Sequence, residues 1–202
     1  MLIFKFLAIC GMVSPIIYTA MWVIIGSFQS NYSHIKDDIS SLFAVGAPNR
    51  RKSQLLVIIE SVLLFVFFIG LHQAINDGSV SIIGPILLLI SSILGMLVAF
   101  FFPLDEGGEM TTYKGKGHIT LVVLMGIFAI AGMVALWVRL IFVPVWSGFA
   151  IFSLICAVLS LIGVAISAKF AAGNYRGLIE RIMVTPFQLF YFVLSLMVFL
   201  VN

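Results

Sequence analysis

Ionisable residues of this chain gather at the ends of apolar stretches in three groups. The first follows the opening stretch, where His34, Asp37, Asp38 and Ser41 stand within Asn31-Tyr32-Ser33-His34-Ile35-Lys36-Asp37-Asp38-Ile39-Ser40-Ser41-Leu42-Phe43. The second is Phe102-Pro103-Leu104-Asp105-Glu106 with Lys114-Gly115-Lys116-Gly117-His118, and the third is Arg176-Gly177-Leu178-Ile179-Glu180-Arg181. Two histidines with several carboxylates suit two kinds of chemistry. His34, Asp38, Asp105 and His118 offer the nitrogen and oxygen ligands of a divalent metal such as zinc, which lowers the pKa of a bound water for hydrolysis. Without a metal, His34, Asp38, His118 and Glu180 would act as general acid, base and orienting carboxylate. Asp37, Ser41, Asp105 and Arg181 would then bind substrate, with Arg181 as the anion clamp. No spacing such as HExxH decides between them.

Two readings without catalysis stand beside these. Glu180 would pair with Arg50, Arg51 or other neighbouring bases simply to lock the connecting segments. Alternatively Arg50-Arg51-Lys52, with Lys114 and Lys116, would grip anionic lipid headgroups above an apolar cavity.

The elements that must position these groups are set by composition. Of 202 residues, 62% are hydrophobic and only 9% charged, against about 25% charged in soluble domains. Such a chain is solvated by lipid. Crossing the hydrocarbon takes about 20 apolar residues in a helix, because lipid offers no partner to a free backbone N–H or C=O. Six stretches qualify, at about 4–27, 54–75, 80–102, 118–142, 145–168 and 178–201. The reading is an all-α integral membrane bundle of six transmembrane helices forming a single domain over 1–202. The first stretch outruns a secretory signal and reads as a retained signal anchor. Cys10 and Cys156, inside spans, read as small apolar residues.

Six spans place both termini and the even connections on one side, and the odd connections on the other. The first side holds Lys5 and Arg139; the second holds Lys36, Arg50, Arg51, Lys52, Lys114, Lys116, Lys169, Arg176 and Arg181. By the positive-inside rule the charged connections are cytoplasmic and both termini outside, in a multi-pass protein of the cell membrane. The same connections carry Asp37, Asp38, Asp105, Glu106, Glu109 and Glu180. Membrane lipids are the expected partners; a net charge of +3 gives nucleic-acid binding no support.

Within the first connection, Ile35, Ile39, Leu42 and Phe43 recur at i, i+4, i+7 and i+8, which predicts a short interfacial amphipathic helix between spans one and two. Ser33 or Asn31 would cap it, and His34, Asp37, Asp38 and Ser41 would share one stripe. Glu180, Arg181 and His118 lie at or inside span ends, where a charge is costly unless paired, and should point inward. Glu60, inside the second span, is a further candidate member of the site. Pro186 with Thr185 should open a local gap in the sixth span.

At these residues the chain resembles the bacterial and archaeal membrane family called domain of unknown function 998. The resemblance rests on Tyr32-Ser33-His34 with Asp38-Ile39-Ser40-Ser41-Leu42, on Phe102-Pro103 with Asp105, on His118, and on Gly177-Leu178-Ile179-Glu180-Arg181. Phe43 stands where the family often has glycine. The resemblance implies a six-span membrane protein with its polar residues on one side, and no particular activity. The expected function is a hydrolase or transferase acting on a lipid or lipid-linked substrate in a His/Asp/Glu/Arg pocket at one membrane face. The alternative is a non-catalytic lipid-binding, transport or accessory protein.

Overall fold

A computed structural model describes residues 2–75, 78, 81–106, 110–170 and 173–202; Glu109 lies outside them. Among the described residues six helices are long and apolar enough to cross a membrane: α1 (Leu2–Phe28), α2 (Arg50–Ile75), α3 (Ile83–Phe101), α4 (Tyr113–Leu140), α5 (Ser147–Lys169) and α6 (Arg176–Val201). No strand occurs among the described residues. The chain is thus an all-α protein of multi-pass membrane type. Each helix packs on its neighbours in sequence, and α6 closes the ring onto α1.

Two helices start earlier than their apolar stretches. Helix α2 takes in Arg50, Arg51 and Lys52, and α4 takes in Lys114 and Lys116. A helix satisfies its own backbone and so runs on past the hydrocarbon, until a cap ends it. At α4 that cap is Thr112, whose Oγ1 accepts from Gly115 N at 3.2 Å.

The core has two parts. Far from the charged connections, Phe67, Phe68, Leu71, Met133, Leu136, Leu140, Phe190 and Leu194 form a large apolar cluster. Serine hydroxyls stitch its helices: Ser153 Oγ donates to Met133 O (2.8 Å) and Ser91 Oγ to Met125 O (2.9 Å). Both cysteines are buried and free. The smaller cluster lies under the charged connections, where Ile39, Leu42 and Phe43 sink among Met21, Val57 and Ala99. Between the clusters, the carboxyl group of Glu60 accepts from Ser14 Oγ (3.2 Å) and Ser61 Oγ (3.1 Å), buried and with no basic partner among the described residues.

The interfacial helix is not formed. Residues 29–49 run through turns, with only one 3-10 turn at Ser40–Phe43. Asp37 Oδ2 accepts from Ser33 N (2.7 Å) and Asp38 Oδ1 from Ser41 N (2.9 Å), while Ser41 Oγ donates to Asp38 O (2.7 Å). Aspartate and serine here close local turns that compete with helix. Ile39 and Leu42 are fully buried and Ile35 is half-exposed, so the expected apolar face is broken. With it goes the shared stripe of His34, Asp37, Asp38 and Ser41.

Candidate functional site

The start of α6 is the frame on which the first connection is laid. Gly177 lies so close to Asp37 that an added Cβ would overlap the Asp37 backbone. That contact brings four groups of α6 onto the loop. Leu178 N donates to Ile35 O (3.0 Å), Arg176 Nε to Lys36 O (3.0 Å) and Arg181 Nη1 to Asp37 O (3.0 Å), while Glu180 Oε2 accepts from Ile39 N (2.5 Å). Glu180 therefore does not pair with Arg50 or Arg51. It and Arg181 satisfy a loop backbone that has no helix or strand of its own to bond with.

Arg181 is the centre of a second layer. Its guanidinium also donates to Gly177 O (2.8 Å) and to the Tyr32 hydroxyl, and it stacks over the rings of Trp22 (5.1 Å) and Tyr32 (5.7 Å). The planar fork suits both uses. Its Nε is buried without an acceptor. The Tyr32 hydroxyl passes a hydrogen bond on to Asp38 O (3.0 Å), and burial pushes its pKa up to about 12, so it stays a donor. His34 meets Tyr32 and Trp22 edge to face, with Nε2 3.4 Å from Ser27 Oγ and Nδ1 buried without a partner. Burial, and then the nearby Arg181 charge, hold His34 below its ordinary pKa, which keeps the ring neutral at pH 7.

His118 stands apart from His34. It is fully buried, its Nδ1 bonded to Phe102 O (2.7 Å) and its Nε2 3.3 Å from Ser40 Oγ, so it braces the 3-10 turn against the end of α3. Asp105 is committed elsewhere again. Its two oxygens accept from Thr111 N, Thr112 N and both threonine hydroxyls, at 2.5–3.3 Å. Those bonds, the Thr112 hydroxyl first, hold its carboxyl below the usual range.

The predicted residues are thus on one face but in separate roles. Among the described residues no three His, Cys, Asp or Glu side chains form a group that could hold a metal ion; His34, Asp38, Asp105 and His118 do not converge as a ligand set. Asp37, Asp38 and Ser41 close turns, Glu180 and Arg181 clamp the loop, and His118 braces it.

Two recesses among the described residues stand out, and neither is lined by any of those residues. One, of about 640 Å³, lies at the start of α2 and includes Arg50, Arg51, Lys52 and Gln54. The other, of about 580 Å³, is a lateral groove between α1 and α6, with Pro15, Thr19, Trp22, Thr185, Gln188 and Phe192 in its wall. Of the pair expected to open a gap, Thr185 lines this groove but Pro186 does not, and α6 runs as one unbroken helix through both. Both walls carry a proline, and the α1 wall also carries a π-turn. In α1, Pro15 is followed by a π-helical turn at Met21–Ile25, and α6 carries Pro186. Each proline removes an intrahelical hydrogen bond, and π-turns widen a helix locally. A π-turn leaves no residue signature in the sequence that would mark Thr19, Trp22 or Gln188 as groove residues.

The family model described as "Protein of unknown function (DUF998)" matches residues 12–197. No curated protein and no solved structure matches the chain. The matched stretch contains the loop, its clamp on α6, the His118 brace and the groove, and on that match the chain belongs to DUF998, a family of proteins of unknown function.

Proposed function

We propose that the protein is a lipid-binding membrane protein that holds one lipid in the lateral groove between α1 and α6, beneath a fixed lid made by residues 29–49. The observation that carries this is the groove itself. It opens at membrane depth where both walls carry a proline and α1 a π-turn, and its lining is mostly apolar. Its size is that of a ligand site. A lipid can enter sideways without leaving the bilayer.

Binding is favoured over lipid hydrolysis or group transfer by the commitments of the polar residues. Glu180, Asp38 and Asp105 accept backbone N–H groups, and His118 bonds Phe102 O. A general acid or base needs its reactive atom within reach of substrate, and these are turned into the lid. The basic residues at the lid's edge, Arg50, Arg51 and Lys52, would meet anionic headgroups at the membrane surface. Their bias supports an orientation with the charged connections cytoplasmic and the termini outside, in the cell membrane.

The test is native mass spectrometry of the protein released from detergent. Thr19→Trp should fill the groove; the expected result is loss of co-purified lipid with an unchanged melting temperature. Equal lipid occupancy in wild type and variant would overturn the reading.

A further inference from the structure

We infer that the lipid taken by the groove is uncharged and carries a free hydroxyl, which the Gln188 side-chain amide reads below headgroup depth. This deepens the groove reading and rests on it. Three observations converge. First, Gln188 Oε1 is buried yet has no hydrogen-bond partner among the described residues, while its residue lines the groove. An amide oxygen shielded from water and left unpaired is costly, and turning the amide about its last side-chain bond to meet a donor in the groove would relieve that cost.

Second, depth rules on charge. Gln188 stands twelve residues after Arg176, where α6 begins, about 18 Å along the helix at 1.5 Å per residue. That places it well inside a hydrocarbon layer of about 30 Å. Third, no charged side chain lines the groove. Arg181, two turns above Gln188 on α6, is covered by the Trp22 and Tyr32 rings and donates to Asp37 O, Gly177 O and the Tyr32 hydroxyl. A phosphate drawn down to Gln188 would lose its water and meet no counter-charge.

The amide also selects among neutral groups. A hydroxyl both donates and accepts, so it pairs with the amide in either orientation, whereas an ester or ketone oxygen only accepts and would leave Oε1 unpaired. Thr185 Oγ1, whose proton goes to Arg181 O (2.7 Å), and Thr19 add hydroxyl oxygens on either side of the groove. The occupant is therefore a single-hydroxyl neutral lipid, of the chemical kind of a diacylglycerol or a long-chain isoprenoid alcohol.

The experiment compares three probes of matched chain length in neutral-lipid nanodiscs, read by native mass spectrometry: a diacylglycerol, its acetylated form, and phosphatidic acid. Wild-type protein should bind the diacylglycerol about tenfold better than the acetate, the size of one buried hydrogen bond, and should show no preference for phosphatidic acid. Gln188→Leu should bind diacylglycerol and acetate equally while retaining both. A preference for phosphatidic acid, or a hydroxyl preference that survives in Gln188→Leu, would overturn this inference. Thr19→Trp separates it from the parent reading. If that variant loses all three probes while Gln188→Leu keeps the hydroxyl preference, the groove stands and the hydroxyl assignment fails. If filling the groove changes no probe, both fail together.

Discussion

Replacing Gly177 with alanine should release the lid. The new Cβ would stand about 2.8 Å from Asp37 C and 2.9 Å from Asp37 N, and backbone cannot rotate aside as a side-chain tip can. Either α6 or segment 35–39 must shift. Four hydrogen bonds depend on that approach: Leu178 N to Ile35 O, Arg176 Nε to Lys36 O, Arg181 Nη1 to Asp37 O and Ile39 N to Glu180 Oε2. Overpacking costs about 1–3 kcal/mol, and weakening bonds to charged groups adds about 1.5 kcal/mol or more each. Against this stands a gain of under about 1 kcal/mol in helix propensity. A net local loss of about 3 kcal/mol raises the open population of the loop more than a hundredfold. Trypsin reads this directly, because Lys36 is exposed and cleavage follows the open population when reclosing is fast. Gly126→Ala is the control: a Cβ there meets nothing within 4 Å, so the change should be neutral or slightly stabilising. Should Gly177→Ala be cut at Lys36 no faster than Gly126→Ala, the docking of the loop on α6 is refuted.

Two further outcomes follow from the same geometry. Arg181→Lys should lower stability by about 2–4 kcal/mol despite keeping the charge, because an ammonium cannot reach three oxygens and stack on two rings; a melting temperature equal to wild type would contradict this. Acidification should loosen the connections in two stages. His34 and Asp105 both have folded pKa values below their ordinary 6.5 and 3.8, so the unfolded chain takes up protons first and stability falls as pH falls. The His34 contribution is full above about pH 6.5 and is lost below it; the Asp105 contribution is full above about pH 4 and is lost on further acidification. Between about pH 6.5 and pH 5, melting temperature should fall less, relative to its own value at pH 7, in His34→Gln than in wild type.

The spans were legible because lipid imposes a length and an apolar composition that few other environments do. Their ends were less so: α2 and α4 extend over Arg50–Lys52 and Lys114–Lys116 because a helix needs no apolar side chains once it reaches water. The face carrying the charges was legible from parity alone. The loop was not. Its i, i+4, i+7 pattern recorded true burial of Ile39, Leu42 and Phe43, but burial at that spacing does not require a helix when Asp37 and Asp38 are free to close turns. That Glu180 and Arg181 point inward followed from the cost of exposing charge to lipid. Their partners did not follow, since sequence spacing does not tell a backbone amide or carbonyl from an opposite charge as the partner of an inward charge.

The partners found have a physical logic. Residues 35–39 lie at the mouth of the bundle, and among the described residues only Lys36 N, Asp37 N and Ile39 O of their backbone bond other backbone groups of the loop. Each buried N–H or C=O left open there would cost more than a weak surface ion pair returns. A carboxylate set against Ile39 N and a guanidinium set against Asp37 O meet that need with charge-assisted bonds, while Trp22 and Tyr32 shield the cation from lipid. The residues on which the chain resembles its family, Tyr32 to Leu42, His118 and Gly177 to Arg181, are the parts of this lid and its braces. Thr19, Thr185 and Gln188, which give the groove its polarity, lie outside those motifs. The family pattern therefore speaks for how the mouth of the bundle is closed, and the ligand must be sought from the groove.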